Sequence, residues 1–370
     1  MLESSRRYAR LLPLVVFAML LAACGGPAAP AAPAASSPQV IRETVEVQVT
    51  APPQVVQATV EVPADAGTLV VYSGRSEALV APLIAQFAEA TGIKVDVRYG
   101  STAEIAATLL EEGDRSPADV FFAQDPGGLG AVAEAGLFAT LPDDLLAQSP
   151  ERFRSPDGRW VGISGRARVV VYNTETLGAQ DLPSDIWDFT DQNWSGRIGW
   201  APSNGSLQAM ITAMRVVWGE ERTREWLLGI QANQPKVFEG NAQVVEAVAA
   251  GEVDVGFVNH YYLYRFLQEQ GESFKARNHF LPGGGPGSLI MAAGAGRLAA
   301  GKNEANALRF IRFMLSPVAQ QYFASQTYEY PVVDGVATTR GLPPLAELDS
   351  TALDIDMVAL NDLQGTTQLM

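Results

Sequence analysis

The stretch Val-Asp-Val-Gly-Phe-Val-Asn-His-Tyr-Tyr, residues 253–262, indicates where a buried strand gives way to a helix. Apolar residues alternate up to Val258, which is typical of a strand, and from Tyr261 onward they recur at helical spacing. Ligands bind at the carboxyl ends of strands in open α/β sheets, so we expect Tyr261 and Tyr262 at a binding edge. Two adjacent phenols there suit a hard metal ion, although aromatic residues in such a place are more often part of the core.

Length and composition limit the class of protein. The chain has 370 residues, which exceeds one ordinary core and predicts two lobes. Its formal net charge of -15 argues against nucleic-acid binding, which needs clustered Lys and Arg. One cysteine and two histidines exclude an internal disulfide and argue against a Cys/His zinc site. A nucleophile elbow, a P-loop lysine and a dinucleotide fingerprint are also missing from the sequence, so we expect a binding protein and not an enzyme.

The amino-terminal part of the chain predicts export and a tether. Residues 1–23 combine three arginines with an apolar run too short to span a membrane, which is typical of a signal peptide. The run ends in LAACG, where Cys24 stands at the lipidated position of a bacterial lipobox. We therefore expect an extracytoplasmic protein held to the cell membrane by a lipid on Cys24. Residues 24–66 are rich in Pro, Ala and Val; their two alternating Val/Thr pieces either form a loose hairpin or, as we expect, an extended spacer.

The globular part shows a repeated strand–helix–strand pattern, which predicts α/β lobes with helices on both faces of a sheet. Residues 101–104, Ser-Thr-Ala-Glu, have the form of a capping box, and Asn241 is expected to cap another helix. Two further strands at 158–165 and 166–174 are expected to lead out of the first lobe. We predict strands at 68–73, 94–100, 118–124 and 235–240, lobe 1 at 67–166 and 291–345, and lobe 2 at 167–290 and 346–370.

Polar side chains recur where predicted strands end, and two facing lobes would bring them into one cleft. A Lewis-acidic trivalent ion stabilises a phenolate, and three phenolates would neutralise its charge. The guanidinium of Arg75 suits a small anion, and so do backbone N–H groups at a helix start after Asn204. The positions are Arg75, Gln124, Asp125, Tyr172, 203–206 and 259–262.

Each of these residues also has a purely structural interpretation. Tyr172 can equally pack its ring in the core with its hydroxyl bonded to backbone. Asn204 and Asn241 are helix caps first and ligand contacts second. Arg166 and Arg168 alternate with apolar residues, and one of them can be simply solvated.

Several segments together resemble the ferric-iron-binding proteins that feed bacterial ABC transporters. They are VVYSGRSEALVAPLIAQFAEATG, SPADVFFAQDPGGLGAVAEAGL, GRARVVVYNT, FVNHYYLYR and YEYPV, spread between about Thr68 and Pro344. The resemblance implies the type II periplasmic-binding fold, with two doubly wound lobes and a hinged cleft. It also implies that Tyr261 and Tyr262 bind Fe(III), and that Tyr172 matches a third tyrosine used by some members.

Two positions depart from the family pattern. Ser76 stands where members often carry a histidine ligand, and Gln124 stands where one subgroup carries a glutamate. The resemblance then implies a three-tyrosine site with a synergistic anion, carbonate or bicarbonate, held by Arg75 and more weakly by Arg166. Residues that match those of a phosphate-binding subgroup are Asn204, Gly205, Asn241 and Asn259.

The implied role is capture of ferric iron by closure of the hinge. Iron is then delivered to the permease and ATPase subunits of an ABC importer by a monomeric, lipid-anchored protein that binds no nucleic acid. The alternative is a protein of the same fold that binds another solute, such as a polyamine, thiamine, a sugar or an oxyanion.

Overall fold

A computed structural model describes residues 39–45, 56–62, 66–339, 341–349 and 351–370. The predicted signal peptide and Cys24 lie outside these residues, as does most of the predicted tether. Two tether strands are described, and they pair antiparallel from Gln39 opposite Val62 to Val45 opposite Val56. The expected extended spacer is therefore wrong for these residues, because each alternating stretch satisfies its backbone by pairing with the other.

The strands of the described residues are numbered in chain order. They are β1 (Gln39–Val45), β2 (Val56–Val62), β3 (Thr68–Ser73), β4 (Lys94–Tyr99), β5 (Val120–Ala123), β6 (Trp160–Asn173), β7 (Ile198–Trp200), β8 (Lys236–Val237), β9 (Val255–Asn259), β10 (Ala276–His279), β11 (Ile290–Arg297) and β12 (Tyr330–Pro331). The edge strand β8 is shorter than predicted; both of its side chains are exposed, and the half-buried Phe238 lies just beyond it.

The helices are numbered in the same way. They are α1 (Glu77–Thr91), α2 (Thr102–Glu112), α3 (Pro126–Glu134), α4 (Asp143–Leu146), α5 (Gly205–Trp218), α6 (Glu220–Ala232), α7 (Asn241–Ala249), α8 (Tyr261–Gln270), α9 (Glu304–Met314), α10 (Pro317–Tyr322), α11 (Leu345–Asp349) and α12 (Leu363–Leu369). Within the described ranges, none of them is both long enough and apolar enough to cross a membrane.

One ten-stranded sheet organises the globular part, in the order β4-β3-β5-β11-β6-β9-β7-β8, with β10 and β12 added beside β6. Strand β6 joins its two halves, since residues 160–167 pair with β11 and residues 168–172 pair with β9. The two strands predicted at 158–165 and 166–174 are therefore one continuous strand. All fourteen residues of β6 are buried, as expected for a strand covered on both faces.

Neighbouring residues of each strand enter different hydrophobic clusters, because successive side chains point to opposite faces of a sheet. In the first half Val71 packs with α1 and α9, whereas Tyr72 packs toward α2 and α3. In the second half Val171 packs with α7, whereas Val170 packs with α5 and α6. Each half is thus an α/β lobe with helices on both faces, as the sequence predicted.

Helix starts agree with the sequence in one case and differ in another. The capping box is confirmed, since Ser101 Oγ accepts from the Glu104 N–H at 3.1 Å and the Glu104 carboxylate accepts from the Ser101 N–H. Asn241, in contrast, is the first residue of α7, and Gly240 precedes it as the cap. The Asn241 side chain is therefore not used to cap its own helix.

The carboxyl-terminal segment, expected in lobe 2, contacts helices of both halves. A buried turn, Met357–Leu360, packs against α3, which follows β5, and against α5, which follows β7. Beyond it, Asn361 Nδ2 donates to Glu134 Oε1 of α3 at 3.1 Å, and the hydroxyls of Thr366 and Thr212 lie 2.7 Å apart. This segment therefore lies across two helices that belong to different lobes.

Candidate metal centre

Two stacked tyrosines stand at the carboxyl end of β9. The strand is buried throughout, and α8 begins directly with Tyr261 and Tyr262, whose ring centroids lie 4.4 Å apart at an interplanar angle of 27°. Tyr261 is only 1% exposed, and its hydroxyl finds no hydrogen-bond partner among the described residues. A buried hydroxyl without a partner costs about 1–3 kcal/mol, so the fold holds this oxygen at some expense in stability.

The phenol of Tyr262 resists ionisation in the protein alone. Burial raises its pKa well above the ordinary value, and the neighbouring Tyr261 raises it further, while Arg166 and Asn241 act in the opposite direction. A strongly Lewis-acidic cation reverses this preference, because it binds the phenolate far better than the phenol. The Tyr262 phenol is thus held neutral in the protein alone, and a bound cation of high charge would favour its phenolate form.

Three buried arginines surround the tyrosine pair. The guanidinium of Arg75 forms a two-pronged ion pair with Glu329, with N···O distances of 3.0 and 2.7 Å, and Nη1 also donates to Ser164 Oγ at 3.3 Å. Arg166 Nη2 lies 3.3 Å from the same carboxylate. Burial on its own raises the pKa of Glu329, but Arg75 and Arg166 outweigh this and hold it below its usual range. Arg75 is therefore already occupied by a protein carboxylate, unlike the anion-holding role expected for it.

Arg168 has much weaker compensation. It is 1% exposed, and Nη1 donates to Asn259 Oδ1 at 3.1 Å. Burial lowers its pKa to about 9, and the two phenols counteract this only partly. The Nε and Nη2 atoms of Arg168, and Nε and Nη1 of Arg166, are buried without hydrogen-bond partners in the described part of the chain. Neither arginine is solvated, so that structural alternative is wrong.

The local charge balance favours an anion. The guanidinium groups of Arg75 and Arg166 face the Glu329 carboxylate, and the third guanidinium, that of Arg168, has no carboxylate partner among the described residues. Burial raises the pKa of Asp125 in spite of the nearby Arg166. Buried N–H groups without partners are rare and costly in folded proteins. The cluster is thus suited to receive negatively charged oxygen atoms from phenolates or a small anion.

Three segments meet beside the tyrosines: the end of β9 and the starts of α5 and α7. Asn204 Oδ1 accepts from the Ser206 N–H at 3.1 Å and from Asn241 Nδ2 at 3.4 Å. Asn259 Nδ2 donates to Ser206 Oγ at 3.0 Å, which ties the end of β9 to this helix start. Asn241 Oδ1 is buried without a partner in the residues described. The structure therefore brings Asn204, Gly205, Asn241 and Asn259 together, the four residues that match those of the phosphate-binding subgroup.

Asp125 of the first lobe reaches the same place. Its Oδ2 lies 3.3 Å from the point where a Cβ would stand on Gly205, the first residue of α5. Asp125 also caps α3 by accepting from the Gly128 N–H at 3.4 Å. A carboxylate is favourable at a helix N-terminus, so Asp125 lies beside the helix start where the sequence placed a bound anion.

Tyr172 is not brought to this cluster. Strand β6 runs antiparallel to β9, with Arg168 opposite Asn259 and Tyr172 opposite Val255. Four residues of strand separate these two levels by about 13 Å, so Tyr172 stands at the beginning of β9 and the pair follows its end. The expected position of Tyr172 beside the tyrosine pair is wrong for this reason.

The two positions that depart from the family pattern are not arranged as ligands. Ser76 is exposed and precedes α1 without a side-chain cap bond, and the Gln124 N–H donates to Thr102 Oγ1 at 3.0 Å. In the part of the chain that the structure describes, no cluster of three or more His, Cys, Asp or Glu side chains could hold a metal ion. Glu329 was not singled out by the sequence, and Arg168 was noted there only for its alternation with Arg166 and not as a site residue.

Two α/β lobes joined by long shared strands, with polar groups of both at the junction, define a solute-binding protein of the type II periplasmic-binding fold. Residues 82–347 match the bacterial extracellular solute-binding protein family, and the chain belongs to it. Such proteins bind and carry a solute and are not enzymes, as the sequence predicted.

The chain is also similar to proteins whose ligand is known. It is 35% identical over 293 residues to an Fe(3+)-binding periplasmic protein of Serratia marcescens. The aligned residues make up 79% of this chain and 86% of the relative. Iron-bound HitA from Pseudomonas aeruginosa superimposes with a TM-score of 0.77 at 34% identity, covering 82% of this chain and 97% of that one. Trichodesmium IdiA (FutA), in complex with iron and citrate, superimposes with a TM-score of 0.70 at 29% identity. The superposition covers 82% of this chain and 98% of that one.

Proposed function

We propose that this chain is the substrate-binding component of a ferric-iron ABC importer. The observation that carries the proposal is the hydroxyl of Tyr261, which is buried without a partner in the described residues. The Tyr261 ring stacks on that of Tyr262, and three buried arginines lie beside the pair. Similarity to relatives that bind iron supports the choice of Fe(III) over a polyamine, thiamine, a sugar or an oxyanion.

In this proposal Tyr261 and Tyr262 bind Fe(III) as phenolates. A hard trivalent cation prefers oxygen ligands and lowers the pKa of a phenol bound to it. The nearby guanidinium groups favour the anionic form of both side chains. Tyr172 is not included in the ligand set, because the strand register places it at the other end of β9.

The remaining positive charge of Fe(III) is met by a small synergistic anion, carbonate or bicarbonate. Arg166 and Arg168 are the better candidates to hold it, because each has buried N–H groups without partners. Arg75 contributes less than expected, since both of its terminal nitrogens contact Glu329. Asn204, Gly205, Asn241 and Asn259 line the side of the cleft at the start of α5 and supply secondary contacts to the anion.

Transport follows from closure of the two lobes about β6 and β11. The lobe that carries the tyrosines binds first, and contacts made only in the closed state make closure favourable. Iron then passes to permease and ATPase subunits. The protein acts as a monomer, held outside the cytoplasm by a lipid on Cys24.

The test is an optical titration of the purified mature protein with ferric citrate in the presence of bicarbonate. We expect a visible phenolate-to-iron charge-transfer band in the wild type that is lost in the Tyr261→Phe and Tyr262→Phe double variant. Tyr99→Phe at the end of β4 is the matched control and should keep the band. A colourless wild type would refute the iron proposal, and a band that does not depend on bicarbonate would refute only the synergistic anion.

A further inference from the structure

His260, the residue before the tyrosine pair, has every polar atom engaged. Its backbone N–H donates to the Ala167 carbonyl at 3.0 Å, and the Ala167 N–H donates back to Nδ1 at 3.1 Å. Nε2 lies 2.7 Å from the Tyr328 carbonyl, and the His260 carbonyl accepts from Asn278 Nδ2 at 2.8 Å. The ring is fully buried.

These contacts determine the tautomer of the imidazole. Nδ1 accepts a hydrogen bond from a backbone N–H and therefore carries no proton. Nε2 faces a carbonyl oxygen, which only accepts, so Nε2 carries the proton and donates it. Both ring nitrogens are thus used within the protein: the lone pair of Nδ1 accepts a hydrogen bond and Nε2 carries a proton. Neither nitrogen is available to a metal ion.

The partners of His260 belong to the arginine and glutamate cluster. Ala167 lies between Arg166 and Arg168 on β6, and Tyr328 immediately precedes Glu329. The ring also contacts the edge of the Tyr261 ring, with centroids 5.7 Å apart, and lies 4.8 Å from the Tyr330 ring. One imidazole therefore connects the start of α8, the middle of β6 and the segment that leads into β12.

We propose that His260 is a positioning residue that fixes the phenol oxygens of Tyr261 and Tyr262 relative to Arg166 and Arg168. This inference rests on the proposed function. A small rotation at the start of α8 would swing both phenols away from the arginines, and the four hydrogen bonds of His260 oppose that rotation. The imidazole acts through the tyrosines and does not bind iron itself.

Two substitutions separate the two ring contacts. His260→Asn keeps an acceptor near the Nδ1 position, and His260→Gln keeps a donor near the Nε2 position. We expect each iron-loaded variant to lose iron to a chelator about 10–100-fold faster than the wild type, the range usual for groups that orient a metal ligand. We also expect the charge-transfer band per bound iron to shift in energy, which a loss of global stability alone would not cause.

The control is the melting temperature of each iron-free variant, which monitors the purely structural contribution. Release rates within twofold of the wild type and an unchanged band in both variants would overturn the proposal, whatever the melting temperatures. A wild type that develops no band would instead refute the iron proposal itself, so the two failures are distinguishable.

A second measurement uses the wild-type protein and does not depend on the variants folding. The chain has two histidines, so nitrogen NMR of the imidazoles gives two sets of signals, and a His279→Gln variant assigns them. We expect His260 to show an unprotonated Nδ1 and a protonated Nε2, both before and after addition of Ga(III), a diamagnetic substitute for Fe(III). A shift typical of metal coordination at either His260 nitrogen, or a proton on Nδ1, would overturn the assignment.

Discussion

The tyrosine pair and the Arg75–Glu329 ion pair are neighbours but differ in how far their polar groups have hydrogen-bond partners. Arg75 and Glu329 contact each other through two short hydrogen bonds, and Thr327 Oγ1 donates to the same carboxylate at 2.9 Å. Tyr261, in contrast, has a buried hydroxyl without a partner. Removing one member of the ion pair would leave a buried charge without a partner, which is strongly destabilising, whereas the unpaired hydroxyl already lowers stability and is available to a ligand.

The largest expected effect on stability comes from breaking the ion pair of Glu329 with Arg75. Glu329→Gln leaves Arg75 and Arg166 buried without a counter-charge, and we expect a loss of about 3–5 kcal/mol in the free energy of unfolding. Urea unfolding of the iron-free protein measures it. The exposed pair of Glu175 with Lys275 provides the control, and Glu175→Gln should cost less than about 1 kcal/mol. Equal losses in the two variants would contradict the assignment.

The same ion pair predicts a pH dependence of stability. The pKa of Glu329 lies below its ordinary value of 4.5, so the folded state binds the proton less readily than the unfolded state. Its contribution is therefore complete above pH 4.5 and is lost as pH falls through the folded-state pKa. Unfolding free energies of the wild type and of Glu329→Gln should converge in that acidic range; a difference that stays constant would contradict the prediction.

Substitution of Tyr261, whose hydroxyl has no partner among the described residues, should affect iron binding and not lower stability. Tyr261→Phe removes a buried hydroxyl without a partner, so we expect the iron-free protein to unfold with the same or a slightly higher free energy, by up to about 1 kcal/mol. Its affinity for Fe(III) should fall more than about 100-fold, beyond the range usual for groups outside the ligand set. Calorimetry and chelator competition measure the two quantities. A variant that is less stable yet binds iron normally would show that Tyr261 is only a core residue.

Substitutions of Arg168 and Arg75 should have effects of intermediate size on iron affinity and on stability. Arg168→Gln removes a charge with little compensation, so the iron-free protein should keep its stability while bicarbonate-dependent affinity for Fe(III) falls about tenfold. Arg75→Gln removes the partner of Glu329 and should mainly lower stability. Parallel unfolding and iron titrations, with and without bicarbonate, measure both. The reverse pattern, with Arg75 controlling the bicarbonate effect, would restore the role that the sequence assigned to it.

The smallest expected effect is at Tyr172. Because it stands at the other end of β9, Tyr172→Phe should change neither the affinity for Fe(III) nor the charge-transfer band. The measurement is the titration used for the tyrosine pair. Loss of the band in this variant would mean that Tyr172 reaches the metal in a conformation with different lobe positions.

Features that depend on nearby residues were predictable from the sequence. The capping box at Ser101 and the change from strand to helix before Tyr261 are encoded within about ten residues of chain. Strand β3 agrees with its prediction at both ends. The continuity of β6 was not predictable in this way, because residues 165–167 are held extended by pairing with β11, more than a hundred residues away.

The error at Tyr172 has a definite physical cause. Residues at strand ends meet at one edge of a sheet only when the strands are parallel, and β6 is antiparallel to its neighbours. The ion pair of Arg75 was missed because Glu329 lies 254 residues away along the chain. Sequence periodicity assigns a side chain to a face, but it does not identify which distant charge will occupy it.

The carboxyl-terminal turn gives the protein a built-in point for optical reporting. Met357–Leu360 lies against α3 and α5, so any change in the spacing of the two lobes must alter the surroundings of this turn. Asp356 is exposed at its beginning, and Cys24 is the single cysteine of the chain. An environment-sensitive dye on a cysteine introduced at position 356 would convert lobe movement into a fluorescence signal, far along the chain from the tyrosines and without altering them.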